Sequence, residues 1–367
     1  MFDLPPLVDH HCHGVLLDDP DADVFASYLT ESDAPAAPGT SFFDTQAGFA
    51  VRRWCPPLLG LDPYTSPARY LARRRELGAA EANRRLLGAT GIGTFLVDTG
   101  LPGDLTTPEE LSRAGGGRAR EIVRLEVLAE RAADAFDDAR TFVDALDASV
   151  DSAARTAAGF KSVVAYRHGL ALAPEAPTAA EVLTAAGQWL GARSPGDRLT
   201  HPVLLRHLLW TAVDTGLPLQ LHTGFGDPDL RLDHADPLLL TDFVKATAGS
   251  GCDLVLLHGY PYHRGAGYLA AVFPHVYADM GLTLGHTGAR ARALLAEMLE
   301  LTPFGKLLFS TDGYALPELY VIGARLFRTA LEELLGEWVR DGSWGYPDAH
   351  RVAKMLASAN ARRVYRL

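Results

Sequence analysis

Eight short apolar runs recur along the chain, separated for the most part by longer stretches rich in Ala, Leu, Glu and Arg. The first begins at Leu7 and runs straight into the histidines of LVDHHCHGVLL (7–17). GTFLVDTG (93–100), REIVRLEVL (120–128), GFKSVVAYR (159–167) and GLPLQLHTG (216–224) follow. CDLVLLHG (252–259), HVYADMG (275–281) and KLLFSTDG (306–313) complete the set. Intervening stretches such as TAAEVLTAAGQWLG and ARARALLAEMLEL have the three-to-four-residue period of amphipathic helices. Runs that are apolar on both faces and alternate with helices predict a parallel sheet covered on both sides. Eight such units predict an α/β fold of the (β/α)8 TIM-like barrel type.

Barrels of this kind take about 250 residues, and the chain has 367. The surplus falls mainly between residues 14 and 90, where FFDTQAGFAVRRWCPPLLGLDPY is rich in Pro, Asp and aromatics. We read residues 1–367 as a single domain, with 14–90 an insertion after strand 1 that covers the barrel mouth. SRAGGGRARE and GARSPGDR have the composition of surface loops. No repeat of solenoid length is present.

The polar residues sit at telling places on this scheme. Alternate side chains of a strand share a face, so His11 and His13 point one way while His10 and Cys12 point the other. Two imidazoles so placed can hold one metal ion. An H-x-H pair alone is a weak signal. Later apolar runs, however, also carry ligand-type residues: Lys161, His222, His258 and Asp312. All strands of a parallel barrel end at one face, which carries the active site. The combination predicts a site for one or two divalent metal ions, zinc first among them, because imidazole and carboxylate suit that ion. A water on such an ion loses its proton near neutral pH. Asp312 can ligate the ion and take that proton. Lys161 becomes a ligand if CO2 adds to its amine, giving a carbamate able to bridge two ions about 3.5–4 Å apart; an ordinary lysine with its head in solvent is the plain reading.

Composition narrows the partners. The net charge of −11 argues against nucleic acid and anionic membrane surfaces. Three cysteines, Cys12, Cys55 and Cys252, without CxxC spacing, argue against a disulfide framework. The first residues lack the basic and apolar regions of a leader, and no apolar run approaches about 18 residues. A cytoplasmic location is the expectation, with a small-molecule substrate and a possible homo-oligomer.

The order His11, His13, Lys161, His222, His258, Asp312 resembles the amidohydrolase superfamily, read from the ends of strands one, four, five, six and eight. GFKSVVAYR is similar to the strand-four stretch of hydantoinase-type members, in which a carboxylated lysine precedes by five residues a tyrosine that polarises the scissile carbonyl. Lys161 and Tyr166 have that offset. LVDTGL, KSVVAYRHGL, LHTGFGDPDLRL, LLHGYPYHRGAGYLA and STDGYALPELY resemble the amidohydrolase-2 group, including the amidohydrolase-like half of FluG-type proteins. In some of those the barrel is fused to a glutamine-synthetase-like domain; this sequence stops at 367, so that domain is not expected here. The resemblance implies that His11, His13 and Asp312 bind the more buried metal, that Lys161 bridges as a carbamate, and that His222 and His258 hold the second. It implies hydrolysis of a C–N bond, of amide or γ-glutamyl type, with Asp312 shuttling the proton.

Other residues have weaker claims. Asp98, Glu126 and Asp279 can orient ligand imidazoles, or can be solvated or capping carboxylates. Arg167 and His168 can face a substrate carboxylate, or a surface salt bridge can engage the arginine. Tyr166 can donate to a developing oxyanion, or pack at the barrel rim. Asp227 reads as a turn residue. His263, His275 and His286 read as surface or capping residues, Cys12 as packing behind the barrel, and Cys55 as a thiol with no base nearby in sequence. A mononuclear decarboxylase, a sugar-acid isomerase or lyase, and a non-enzymatic regulatory barrel remain the alternatives.

Overall fold

The computed structural model describes residues 2–367. Strands β1 (Leu7–Cys12), β2 (Ile92–Asp98), β3 (Arg118–Arg124), β4 (Gly159–Ser162), β5 (Leu219–Thr223), β6 (Leu254–His258), β7 (Val276–Asp279) and β8 (Leu307–Leu308) form one sheet in sequence order. The pairings β1–β2, β3–β4, β4–β5, β5–β6 and β6–β7 are parallel. Residues 309–313 continue β8 alongside β1. His10 N donates to Phe309 O (3.3 Å), Asp312 N to His11 O (3.0 Å) and His13 N to Gly313 O (2.8 Å). First and last strands are thus hydrogen-bonded, as a (β/α)8 barrel requires.

Two strands end earlier than their apolar runs. The run 120–128 becomes helical at Leu125, which opens the helix Leu125–Ala135. The run 159–167 leaves the sheet after Ser162, and Val164–Arg167 is a single helical turn. Both follow from one contact. The Glu126 carboxylate, buried on the first turn of its helix, accepts from Ser162 Oγ (2.6 Å) and Val163 N (3.0 Å). Val163 N has found a side-chain acceptor, so the ladder stops although the Val-rich run favours continuing it.

The chain divides into two compact units, one of residues up to Arg120 together with Asp279–Leu367, the other Glu121–Ala278. In the second, β4, β5 and β6 are buried along their whole length. The helices Ala139–Ala154 and Ala179–Ala192 of that unit meet through Phe142 and Trp189, ring centroids 5.8 Å apart. In the first unit, all six residues of β1 are buried. The segment 14–90 belongs to this unit and is largely helical, with Ala22–Ser27, Gln46–Trp54, Pro67–Leu77 and Ala79–Gly88. Among the described residues no helix is long and apolar enough to cross a membrane.

A buried ionic knot ties 14–90 to the long helix Pro317–Arg340. Glu318 Oε1 accepts from Tyr70 OH (2.7 Å) and Arg74 Nε (2.7 Å), and Arg74 also reaches Asp19 and Asn83 Oδ1. Arg74 is 2% exposed and Glu318 0%. Removing one partner of such a pair strands the other charge away from water, at about 3–5 kcal/mol. We therefore expect Arg74→Met to lower the free energy of denaturant unfolding by that amount, and Arg74→Met with Glu318→Leu to recover much of it. An unchanged midpoint in the single variant would show that the knot does not hold the segment.

Candidate metal and catalytic site

β1 brings His11 and His13 to one side, as alternation predicts: their rings lie edge to face with centroids 5.1 Å apart. Both are nearly fully buried. His13 Nδ1 lies 3.0 Å from the Asp98 carbonyl oxygen. A carbonyl only accepts, so Nδ1 carries a hydrogen and a neutral ring leaves Nε2 a bare lone pair. That Nε2 faces Asp312 Oδ1 at 3.3 Å, and His11 Nε2 faces the same oxygen at 3.1 Å. An acceptor set against an acceptor needs a proton or a cation between them, so this donor set fits a divalent ion. The Asp98 carboxylate joins the cluster: ligand atoms of His11, His13 and Asp98 all lie within 4.8 Å of one another. The sequence offers Asp98 as an orienting residue or as a solvated or capping carboxylate; the structure sets its carboxylate among the candidate ligand atoms.

Asp312 reaches this position through a left-handed backbone, φ 51°. A non-glycine residue adopts that conformation only where surrounding contacts hold it, and such strain gathers at functional sites. Here Asp312 N is held by His11 O and Gly313 N by Thr311 Oγ1 (3.0 Å). Thr311 is gripped in turn by Asp9, which accepts from Thr311 N (2.9 Å) and Thr311 Oγ1 (2.5 Å). Burial pushes the Asp9 carboxyl up to about 8; the Thr311 hydrogen bonds and the His11 backbone pull it down, and the Asp279 charge raises it. Asp279 serves His10 rather than the pair His11 and His13. It accepts from Ser310 Oγ (2.7 Å) and Gly281 N (3.0 Å) and lies 3.0 Å from His10 Nε2, while His10 Nδ1 meets Tyr365 OH at 3.1 Å. Tyr314, which the sequence reading missed, sets its ring edge to face with His13 at 5.9 Å, and Tyr28 meets Tyr314 at 5.4 Å. The only sequence signal for Tyr314 is its place two residues after Asp312.

The second unit assembles its own group. Lys161 is 2% exposed and lies opposite Gln220 on β5, so Lys161, Gln220 and His222 share a face. His222 is opposite Leu257, which by alternation sends His258 to the other face. A left-handed φ of 67° at His258 breaks that alternation, and its ring lies 4.9 Å from that of His222. Tyr166, on the turn after β4, has its ring centroid 4.6 Å from that of His222. Gly226 makes room for both: a Cβ there would come 1.9 Å from Tyr166 Oη and 3.3 Å from His222 Nε2. His222 Nε2 is 3.2 Å from Phe225 O.

The weaker expectations divide. Arg167 points to Glu130 (3.2 Å), with its side chain 10% exposed, and burial pulls its pKa down. Glu126, buried and shifted up by that burial, orients no imidazole; it holds the end of β4. His168 is exposed, and Asp227 caps Asp229 N (3.0 Å) as a turn residue. His275 and His286 are half-buried, near Thr247 Oγ1 (3.2 Å) and Glu31 (3.3 Å) respectively. His263 departs from its reading as a surface or capping residue: it is buried, its ring stacked on Tyr260 at 5.6 Å, because the first turn of its helix packs inward. Cys12, Cys55 and Cys252 are free and buried. Burial pushes the thiols of Cys12 and Cys55 well up, so neither is poised as a nucleophile.

Known proteins can now be set beside this geometry. An amidohydrolase family model matches residues 124–367. Protein fluG of Emericella nidulans is 36% identical over 222 residues, which cover 57% of this chain and 25% of that protein. The chain thus spans about a quarter of the length of that curated relative. A solved structure from Lactobacillus casei, provisionally assigned as a metal-dependent hydrolase, matches with a TM-score of 0.86 and 29% identity, over 100% of this chain and 96% of that one. Glucuronate isomerase from Caulobacter crescentus matches with a TM-score of 0.63 and 15% identity over 99% of this chain and 91% of its own, a likeness of fold alone.

The buried Asp9 predicts a pH dependence. The unfolded carboxyl ionises near 3.8, whereas the folded one keeps its proton to about 8. Between those values the folded state binds the extra proton, so stability falls as pH rises and levels off above about 8. Denaturant titrations of metal-stripped protein from pH 4 to 9 should show this decline, and Asp9→Asn should flatten it. An equally steep decline in the variant would assign the effect elsewhere.

Proposed function

The chain belongs to the amidohydrolase family, and from that premise we propose that it is a metal-dependent hydrolase of a small, carboxylate-bearing compound, cleaving a C–N bond of amide or γ-glutamyl type. The observation that carries the reading is the Asp312 carboxylate set within 3.3 Å of the Nε2 atoms of both His11 and His13. In this proposal His11, His13 and Asp312 would hold one ion with Asp98 beside them, His222 and His258 would hold a second, and Lys161, once carboxylated, would contribute its carbamate oxygens as further ligands. Zinc is the ion we propose, on the chemistry of the imidazole and carboxylate donors. When bound, the metal supplies Lewis acidity and lowers the pKa of water towards neutrality.

The remaining roles fall to the chain itself. Asp312 takes the proton of the attacking water and returns it to the leaving nitrogen, acting as base and then acid. Its side chain is 14% exposed and therefore largely screened from bulk water. Tyr166 donates its hydroxyl to the carbonyl oxygen as negative charge develops there. Its place against His222 and over Gly226 supports that role. Neither act requires a nucleophilic side chain, in keeping with the neutral, buried thiols.

A mononuclear reading has one observation in its favour. Within the first unit His11 and His13 lie within ligand reach of one another and of Asp98, and the Nε2 atoms of both lie within 3.3 Å of Asp312 Oδ1. A decarboxylase or isomerase using that set alone would need no modified Lys161. Elemental analysis of protein prepared without chelator and with bicarbonate separates the two. About two ions per chain supports the bridged hydrolase and about one supports the mononuclear reading. We expect Asp312→Asn to cut turnover of whichever N-acyl or γ-glutamyl amide the protein cleaves by roughly a thousandfold, with the unfolding midpoint retained. Full activity in that variant would end the proposed mechanism.

A further inference from the structure

The imidazole of His10 has no part in the mechanism above, yet two buried side chains hold it. Its Nε2 lies 3.0 Å from Asp279 Oδ2 and its Nδ1 3.1 Å from Tyr365 OH, and the Tyr365 ring stacks on it at 5.7 Å. Asp279 also accepts from Ser310 Oγ (2.7 Å) and from Gly281 N (3.0 Å). A carboxylate that accepts from those donors meets His10 as an acceptor too, so Nε2 carries the ring hydrogen. In the neutral ring Nδ1 is then a lone pair that accepts from the tyrosine hydroxyl. His10, Asp279, Ser310 and Tyr365 are all buried.

This network touches both segments that carry the first ion's proposed ligands. On β1, His10 is next to His11 and points to the opposite face. Holding its ring on two sides fixes the roll of the strand about its own axis, and that roll aims His11 and His13 on the other face. Beyond β8, Ser310 lies two residues before Asp312, with Thr311 between them held by Asp9. One carboxylate, that of Asp279, thus joins the strand of the histidine pair to the segment of the aspartate. Tyr365 brings in a third element. It follows directly on the helix Asn360–Val364, and Asn360 Nδ2 donates to Leu307 O (2.9 Å) at the start of β8. That helix is keyed to β8 at its first residue and to β1 through the residue after its last.

We propose that Tyr365 is a positioning residue for the metal site, acting through His10 and Asp279 on the aim of His11, His13 and Asp312. The inference rests on the reading that those three residues hold an ion, and on nothing about the substrate. Hydrogen-bond partners of metal ligands are worth roughly 10–100-fold in affinity. Tyr365 and Ser310 act one bond further out, so the lower figure is the expectation.

The test uses the full chain, stripped of metal and reloaded with Co2+, whose visible absorption reports the geometry of its ligands. Tyr365→Phe keeps the ring against His10 and removes only the hydroxyl. Ser310→Ala removes one bond to Asp279. Arg74→Met, in the ionic knot outside this network, is the control for lost stability alone. The absorption band that disappears in His11→Ala marks the site to be read. Affinity at that site for Co2+ and Zn2+ is measured by competition with a chromophoric chelator, beside the unfolding midpoint of the stripped protein. Tyr365→Phe and Ser310→Ala should each weaken binding about tenfold and shift the Co2+ band, while Arg74→Met does neither. Wild-type affinity and spectrum in both network variants, or a weakening no greater than in Arg74→Met, would overturn the proposal and leave the metal reading standing. A wild type that binds neither ion would overturn both. Weakened binding in a protein that cleaves no amide would uphold the positioning role and sink the hydrolase reading.

Discussion

His13 Nε2 and Asp312 Oδ1 face each other with lone pairs, and much of the first unit is arranged to keep them there. The imidazole cannot turn away, because its Nδ1 hydrogen is committed to the Asp98 carbonyl. The carboxylate springs from a backbone fixed in a left-handed conformation, held on one side by β1 and on the other by Thr311. In a buried setting, two acceptors at 3.3 Å repel until something positive lies between them. A proton or a cation between them satisfies both, and the fold presents the two atoms already oriented for it. A folded protein with an oriented donor set has already met part of the ordering requirement for a tight site.

The two units use the same device, a buried carboxylate that accepts from a hydroxyl and a backbone N–H at the end of a strand. In the first, the Asp9 carboxylate holds Thr311 by its backbone N–H and hydroxyl, between backbone bonds that tie Phe309, Asp312 and Gly313 to β1. In the second, the Glu126 carboxylate takes Ser162 Oγ and Val163 N at the end of β4. There the side chain replaces a backbone partner, the strand stops, and Tyr166 rides on the turn that follows. Asp312 follows directly on the residue that Asp9 holds. Both carboxylates are buried and shifted up by that burial, so the arrangement carries a desolvation cost that an unbroken ladder would not.

The barrel was legible because eight apolar runs alternating with helical spacing leave few other solutions. The shared side of His11 and His13 was legible for the same reason, since a strand alternates. His258 was not. Its register with β5 sends it away from His222, and only a positive φ, which no residue type at that position announces, brings the two rings together. The pairing of Arg167 with Glu130 was hidden in the same way. The run 159–167 reads as one strand, and where the Arg167 guanidinium points depends on where the strand stops. That point is decided by Glu126, 36 residues away from Ser162. Tyr28 and Tyr314 lie beyond any local pattern because they meet only through folding.

The hydrogen bond between His10 and Tyr365 spans 355 positions of sequence. Of the eight strands β1 is made first, and its His10 meets Tyr365 only once all that lies between them has been made. Until then water serves the imidazole, and β1 lacks the neighbours that bury it in the folded protein. Non-local closure of this kind slows folding and lengthens the time during which misassociation competes. Closing the barrel therefore waits on contacts between its most distant segments.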